Sequence, residues 1–115
     1  MRRSRSRGAR GSACLALTRY RLFARDFAGA VVAADMGLAI DSTDLLILAR
    51  KAHACLLLGK TTEAQAIYMA NRGKAIEGGA KRTWEQIILQ DFDDLEKAGI
   101  KSAEFAGVRA QMKGN

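Results

Sequence analysis

The sequence contains no proline, and several other residue types are scarce in its 115 residues. Because proline breaks helix interiors, its absence leaves long helices uninterrupted. A single histidine, His53, and two cysteines, Cys14 and Cys55, give no ligand spacing typical of a zinc site. We expect both thiols to be free and buried, as suits a reducing cytoplasm. The scarcity therefore argues against both a metal-binding protein and a disulfide-stapled one.

Long apolar runs are also missing. Residues 54–58 are one of several runs of equal length, and all of them are far shorter than the roughly 20 residues that a membrane span needs. Arg2 and Arg3 begin something like a twin-arginine leader, but residues 4–13 are Ser, Arg, Gly and Ala, without the apolar centre of a secretory signal. The sequence therefore predicts a cytoplasmic protein without a membrane span.

Acidic residues are absent from the first 25 positions, which hold eight arginines. The rest of the chain has 11 basic and 12 acidic residues, so the formal net charge of +7 belongs to the N-terminal end. An Arg/Ser/Gly-rich segment cannot bury apolar surface, and its like charges repel. We therefore expect residues 1–11 to form a disordered tail.

Two interpretations of this tail remain open. It is either a solvated extension without a role, or a segment that contacts nucleic acid or another anionic surface. The arginines available for such a contact are Arg2, Arg3, Arg5, Arg7 and Arg10.

From Ser12 onward, apolar residues recur at helical spacing and capping residues separate the runs. The sequence predicts an all-α domain over residues 12–112, with helical hairpins at about 12–40, 44–73 and 83–112. Helix starts are indicated by Asp26, by the loop 41–44, by Thr62 with Gln65 as a capping box, by Thr83 and by Ser102. Helix ends are indicated by Gly59 and Gly99, and the Gly78-Gly79 pair indicates a loop.

A fixed period runs through the first two hairpins. Ala30 and Ala64 lie 34 positions apart, and each comes early in the second helix of a hairpin. A helix–turn–helix unit of this length resembles the tetratricopeptide repeat. Small residues stand at the positions where that family brings the two helices of a repeat together. The second repeat also has the family's frequent aromatic residue, and residues 58–64 resemble the family's turn. The matching positions are Thr18, Ala52, Ala30, Ala64 and Tyr68.

The sequence departs from the family in three places. Ser42 replaces the closing proline of the first repeat, Ala34 stands where an aromatic is frequent, and Lys51 replaces a large apolar residue. With these departures, the resemblance still implies antiparallel hairpins stacked as a short right-handed solenoid, with the last hairpin as a cap. The alternative is a helical bundle in which the 34-residue spacing is coincidental.

The resemblance also implies a function. Stacked hairpins form a concave groove lined by the first helix of each repeat, and such grooves bind peptides or partner domains. The chain is similar to bacterial repeat segments attached to other domains, which implies a scaffolding module that binds a protein, a peptide or a fused domain. A short array leaves an apolar end, which also allows self-association. The groove candidates are Arg19, Leu22, Phe23, Ala49, His53, Leu56 and Leu57, together with Leu15 and Leu46.

No motif predicts catalysis. Residues 54–61 match the loosest form of a phosphate-binding loop, but they continue a helical run instead of following a strand, so we expect no nucleotide contact from Lys60. His53 has only Ala49 and Leu57 as its helical neighbours, which predicts a polar residue on a helix surface or in a groove. We therefore expect no enzyme activity, no cofactor and no metal.

Two features of the fifth helix have structural interpretations. The acidic cluster at residues 91–94 lacks the glycine and the alternation of a calcium loop, so it predicts a solvated helix face. Trp84 predicts a core anchor for the last hairpin, with partial exposure at a binding site as the alternative.

Overall fold

The computed structural model describes the backbone of residues 2–76 and 82–114 and the side chains of residues 10–76 and 82–114. Within these residues the chain is mostly helical, as predicted, and neighbouring helices pack against each other. Gly78 and Gly79 lie outside the described residues. The elements are α1 (Arg2–Phe23), α2 (Phe27–Ile40), α3 (Leu45–Leu57), α4 (Thr61–Ala70), β1 (Ala75–Ile76), β2 (Arg82–Thr83), α5 (Trp84–Lys97) and α6 (Glu104–Gly114).

The strand pair was not predicted. Strands β1 and β2 are antiparallel, with Ala75 opposite Thr83 and Ile76 opposite Arg82. Pairs this short lack the alternating apolar pattern by which strands are recognised in sequence.

Most helix starts follow the capping residues that the sequence indicates. The Asp26 carboxylate accepts from the N–H of Gly29, and the Asp44 carboxylate accepts from two N–H groups of α3. Thr83 and Gln86 form a complete capping box at α5. Side-chain oxygens thus satisfy N–H groups that have no partner inside the helix.

The capping box expected at Thr62 and Gln65 is wrong. Helix α4 begins at Thr61, and its N-cap, Lys60, makes no side-chain cap. The turn after α3 explains the earlier start. The N–H of Lys60 donates to the carbonyl of Cys55, and the carbonyl of Lys60 already accepts from the N–H of Ala64. Tight closure of the preceding helix therefore lets α4 begin directly after the turn, without a capping side chain.

Helix α1 begins at Arg2, so the backbone of residues 2–11 is helical instead of the disordered tail that the composition predicts. Arginine and alanine have high helix propensities, and a helix nucleated by packed residues extends at little cost. Cys14, Thr18 and Leu22 supply that packing, since all three are buried.

Helix α2 lies close to both of its neighbours because Gly37 has no side chain. A Cβ atom built there would lie 2.5 Å from Cδ1 of Ile47 in α3 and 3.0 Å from Cβ of Cys14 in α1. This close approach joins the first two hairpins into one packed unit.

The turns that end α1 and α3 repeat the same hydrogen bonds at the 34-residue spacing. The N–H of Asp26 donates to the carbonyl of Arg21, and the N–H of Lys60 donates to that of Cys55, both at 2.8 Å. The residue before each donor is left-handed, with φ of 66° at Arg25 and 85° at Gly59. Both turns have the hydrogen bond and the left-handed residue of a Schellman motif.

Burial also repeats at this spacing. Pairs of residues 34 positions apart have the same burial class through most of residues 22–39 and 56–73. The small residues singled out in the sequence are all inaccessible to solvent, namely Thr18, Ala30, Ala52 and Ala64. The period is therefore present in packing and backbone geometry as well as in sequence.

The first helix of the third hairpin ends in the same kind of turn as α1 and α3, but this turn does not lie at the 34-residue spacing. The N–H of Ile100 donates to Leu95 at 2.9 Å, and the β1–β2 segment displaces this turn from the position that a third regular repeat would give it. Helix α5 packs on α3, and the Arg25 guanidinium donates to the Ala98 carbonyl at its far end at 3.3 Å. The C-terminal hairpin therefore reaches back across the second repeat to the end of α1.

Aromatic side chains anchor this hairpin. Trp84 is completely buried, as predicted, and its indole N–H donates to the carbonyl of Tyr68 at 2.9 Å. The rings of Phe92 and Phe105 stack with centroids 4.1 Å apart, joining α5 to α6. Such pairs add to the stabilisation that burial of apolar area provides.

None of the helices in residues 2–76 and 82–114 combines the length and the hydrophobicity that crossing a bilayer requires.

Candidate functional site: an open depression on α1 beside a closed polar cluster

The structure divides the seven main groove candidates into three groups by their exposure. Leu22, Ala49, His53 and Leu56 are buried in the core, while Phe23 and Leu57 are half-buried. Only Arg19 is exposed. The expected groove is therefore open at α1 and closed at α3, because the C-terminal hairpin covers α3.

His53 lies at the centre of a buried polar cluster. The prediction that it lies on a helix surface or in a groove is therefore wrong. Its Nε2 lies 3.0 Å from a carboxylate oxygen of Asp91, and its Nδ1 lies 2.7 Å from the hydroxyl of Tyr68. A neutral imidazole satisfies both contacts when Nε2–H donates to Asp91 and Nδ1 accepts from Tyr68. The partners come from α4 and α5, far from His53 in sequence, so its helical neighbours gave no sign of them.

Asp91 is likewise buried, which corrects its assignment to a solvated helix face. Burial raises the pKa of its carboxyl, but the interaction with His53, in which the imidazole donates a hydrogen bond, and the charges of Arg50 and Arg19 outweigh burial and lower that pKa below its usual value. A guanidinium nitrogen of Arg50 lies 3.8 Å from the second carboxylate oxygen. The cluster thus holds an ionised carboxylate with partners on both oxygens.

The geometry of Asp91, His53 and Tyr68 resembles the acid–base–hydroxyl order of nucleophilic catalysis. Burial raises the pKa of the Tyr68 hydroxyl well above its usual value, and the Asp91 charge raises it further, so the hydroxyl stays protonated. Both Tyr68 and His53 are inaccessible to solvent. A substrate therefore cannot reach this hydroxyl, and the cluster serves to join α3, α4 and α5.

The open site is a depression of about 610 Å³ on α1. Its lining residues are Ala16, Arg19, Tyr20, Phe23 and Ala24. Tyr20 is 71% exposed, the largest exposure among the large hydrophobic side chains that the structure describes. The Arg19 guanidinium lies over the Phe23 ring, 4.5 Å from its centroid, which holds the cation against an apolar floor.

Positive charge gathers on the helix that carries this depression, because α1 holds Arg19 and Arg21 and no acidic residue. Burial lowers the pKa of the Arg50 guanidinium, and the nearby charges of Arg19 and Arg82 lower it further, while Asp91 opposes them. These cations come from α1, α3 and β2. The surroundings of the depression therefore favour a partner with negative charge.

Sequence reasoning found Arg19 and Phe23 but missed Tyr20, Ala16 and Ala24. The signal that could have identified Tyr20 was the repeat itself. Its equivalent in the second repeat is Ala54, so a large aromatic stands where that repeat has a small, buried residue.

The other candidate features, namely the segment that resembles a phosphate-binding loop, the two cysteines and possible metal ligands, contribute no residues to this site. Residues 54–57 form the end of α3, and Gly59 closes that helix, so no strand precedes Lys60. Cys14 and Cys55 are free and buried, as predicted. In the parts of the chain that the structure describes, no three His, Cys, Asp or Glu residues group as a metal site.

Comparisons of the chain with protein-family models, with curated proteins and with solved structures find no match.

Proposed function

We propose that this chain is a protein–protein interaction module, built as a short tetratricopeptide-like array, that binds a segment of a partner protein in the α1 depression. The observation that carries the proposal is the depression itself, where exposed Tyr20 and half-buried Phe23 lie beside the fixed cation of Arg19. Aromatic and arginine side chains are the residues that most often dominate the binding free energy of interfaces.

The 34-residue recurrence of turns and burial supports the tetratricopeptide-like architecture. In such arrays the first helix of each repeat lines the groove, and the depression lies on a first helix. The C-terminal hairpin acts as the cap and leaves the α1 part of the groove for a partner.

The proposed partner segment carries apolar side chains together with acidic ones. Apolar groups would bury against Tyr20 and Phe23, and carboxylates would lie near Arg19. We propose no catalytic role for the chain, because the only acid–base–hydroxyl arrangement in the described residues is closed to solvent.

Peptides selected on the purified chain from a random library test this proposal. Binding of the selected peptides would be measured by fluorescence anisotropy for the wild type and for Tyr20→Glu, Arg19→Glu and Val32→Glu. Val32 is 56% exposed on α2, outside the depression, and serves as the matched control. We expect the two depression variants to bind roughly tenfold more weakly or worse, and the control to bind like the wild type.

Equal binding by all four proteins would place the selected peptides elsewhere and overturn the proposal. Enrichment of basic rather than acidic peptides would contradict the proposed charge of the partner. Circular dichroism of each variant separates loss of binding from loss of fold.

A second candidate function is contact with nucleic acid or an anionic surface. The observation that favours it is α1, a helix from Arg2 to Phe23 without any acidic residue. We propose that deleting residues 1–11 would leave the thermal midpoint nearly unchanged and remove salt-sensitive binding to a nucleic-acid duplex. Tight duplex binding by the shortened chain would instead place the site in the folded domain.

A further inference from the structure

The floor of the α1 depression consists of two rows of side chains on a single helix. Within each row, successive residues lie four positions apart. Rows of this spacing are the ridges that interlock when two helices pack, and a ridge of a second helix fits into the groove between them. The rows are Ala16, Tyr20 and Ala24, and beside them Arg19 and Phe23. The depression therefore has the shape of one half of a helix–helix contact.

The depression offers few hydrogen-bonding groups to a partner. Arg19 and Tyr20 are the two polar side chains among its five lining residues. The backbone N–H groups of residues 16–24 are used inside α1 and its closing turn, where the N–H of Ala24 donates to the carbonyl of Tyr20.

This shortage of hydrogen-bonding groups discriminates between the conformations that a bound segment can adopt. An extended segment leaves the N–H and C=O groups of its backbone free, and those that it buried on this floor would lack partners, at a cost in free energy. A helix pairs its backbone groups internally, so that only its side chains have to meet the floor. The floor therefore favours a helical segment over an extended one.

The molecule itself shows a helical covering at the equivalent side of α3. The equivalent of Tyr20 is Ala54, which is inaccessible to solvent, whereas Tyr20 is 71% exposed. Ala54 lies one turn after Lys51, whose ammonium lies 2.7 Å from the Asp35 carboxylate of α2. Helix α1 packs on α3 as well. Helices of the first repeat thus cover on the second repeat the side that is exposed on α1.

We propose, on the basis of the function proposed above, that the partner segment binds the depression as an amphipathic α-helix, which lies on α1 as the helices of the first repeat lie on α3. Apolar side chains of this helix pack between the two rows, on either side of the Tyr20 ring. A carboxylate on the same side of the helix faces the Arg19 guanidinium, which lies 4.5 Å from the centroid of the Phe23 ring.

The length of the floor sets the spacing of the contacts on the partner. Residues 16–24 span about 12 Å of α1, which is roughly two helical turns. The side chains that anchor the partner helix should therefore recur every three or four positions within about eight residues. An extended segment would instead place its contacts at every second position.

Alanine scanning of selected peptides tests this conformation. Peptides of about 15 residues, enough for roughly four helical turns, would be selected from a random library on the full chain. Those that bind the wild type but not Tyr20→Glu would be scanned by fluorescence anisotropy. We expect the sensitive positions to lie three or four residues apart. Far-UV circular dichroism of the complex should show more helix than the sum of its free components.

Proline substitution in the same peptides provides a second readout. At a central position where alanine is tolerated, proline should weaken binding at least about tenfold, because it breaks a helix interior. Proline at the first residue of the peptide is the matched control and should be tolerated, since the first turn of a helix accepts it.

Two kinds of failure are distinguishable. Peptides that need Tyr20 but are sensitive at every second position and tolerate the central proline would overturn the helical conformation and leave the proposed function intact. A library that yields only peptides whose binding is unchanged by Tyr20→Glu and Arg19→Glu, or no binding peptide at all, would overturn both.

Discussion

The first two hairpins share their turns and differ in what surrounds them. Arg19 and His53 occupy equivalent positions of the two repeats, yet Arg19 is exposed and His53 is inaccessible to solvent. The backbone geometry of the two helices gives no reason for this difference. The reason is the C-terminal hairpin, which lies over α3 and supplies Asp91 to His53.

This comparison shows that a repeat position does not have a fixed role. The turn, its left-handed residue and the small residues at helix contacts follow from local spacing, and they recur in both hairpins. Exposure and partner choice on the first helices depend on the neighbouring hairpin, and they do not recur at Arg19 and His53. Four pairs of equivalent positions allow this distinction to be tested, and each prediction below uses one pair.

The pair Arg19 and His53 should give the largest difference. His53→Ala removes a buried ring and leaves the Tyr68 hydroxyl and the Asp91 carboxylate without their partner, so we expect a loss of roughly 3 kcal/mol in the free energy of unfolding. Arg19→Ala, at the equivalent exposed position, should change it by less than about 0.5 kcal/mol. Urea denaturation measures both, and similar losses would mean that the cluster does not stabilise the C-terminal hairpin.

The pair Ala30 and Ala64 should respond alike, because both lie where helices meet. Leucine at either position overpacks the contact, and we expect each variant to lose about 1–3 kcal/mol. Ala28→Leu is the matched control, since Ala28 is exposed on the same helix as Ala30 and should tolerate the change within about 0.5 kcal/mol. Equal losses at all three positions would show that the 34-residue spacing has no structural meaning.

Ala34 and Tyr68 are equivalent positions of the two repeats. The second repeat has a titratable hydroxyl there, whereas the first has only a methyl group. Because the pKa of Tyr68 is raised in the folded protein, its contribution to stability is present below the unfolded value near 10 and is lost as pH rises above it. The expected slope is up to about 1.4 kcal/mol per pH unit. Chemical denaturation between about pH 8 and 11 should show a steeper alkaline loss for the wild type than for Tyr68→Phe.

Tyr20→Phe is the control for this measurement, because it removes the same hydroxyl from an exposed side chain. It should keep the alkaline slope of the wild type. If Tyr68→Phe keeps that slope as well, another group carries the alkaline loss, and Tyr68 does not titrate as its burial implies.

The pair Arg25 and Gly59 should give the smallest effects. Both are left-handed, a conformation that costs a side-chain-bearing residue about 1 kcal/mol. Gly59→Ala should therefore destabilise by about that amount, since a Cβ there meets no other atom. Arg25→Gly should be more stable than Arg25→Ala by a similar amount, because both lose the contact with Ala98 and only glycine relieves the strain. Thermal unfolding of the three variants checks this, and a more stable Arg25→Ala would contradict the left-handed turn.

Local patterns were sufficient to predict most helix boundaries. Helix α2 has the predicted range, and Asp26, Thr83 and Gly59 act at the ends where they were expected. Each of these signals depends on a few neighbouring residues, because a cap or a left-handed turn is satisfied within one helical turn. The box at Thr62 failed because the turn before it already provided the hydrogen bonds.

The candidate site was only partly predictable. Helical spacing places Arg19 and Phe23 on one side of α1, and that arrangement holds in the depression. Spacing also grouped Ala49, His53 and Leu56 as groove residues, but it contains no information about α5 lying on α3. For the same reason Asp91 was assigned to the wrong side of its helix.

The sequence by itself determined the helices, most of their ends, the 34-residue period and the concentration of arginine at one end of the chain. Only the tertiary structure decided which of two equivalent positions is buried, as it did for Arg19 and His53. The physical reason is range. Caps, turns and helix propensity act within a few residues, whereas burial and hydrogen bonding of His53 depend on Tyr68 and Asp91, which lie 15 and 38 residues away in the chain.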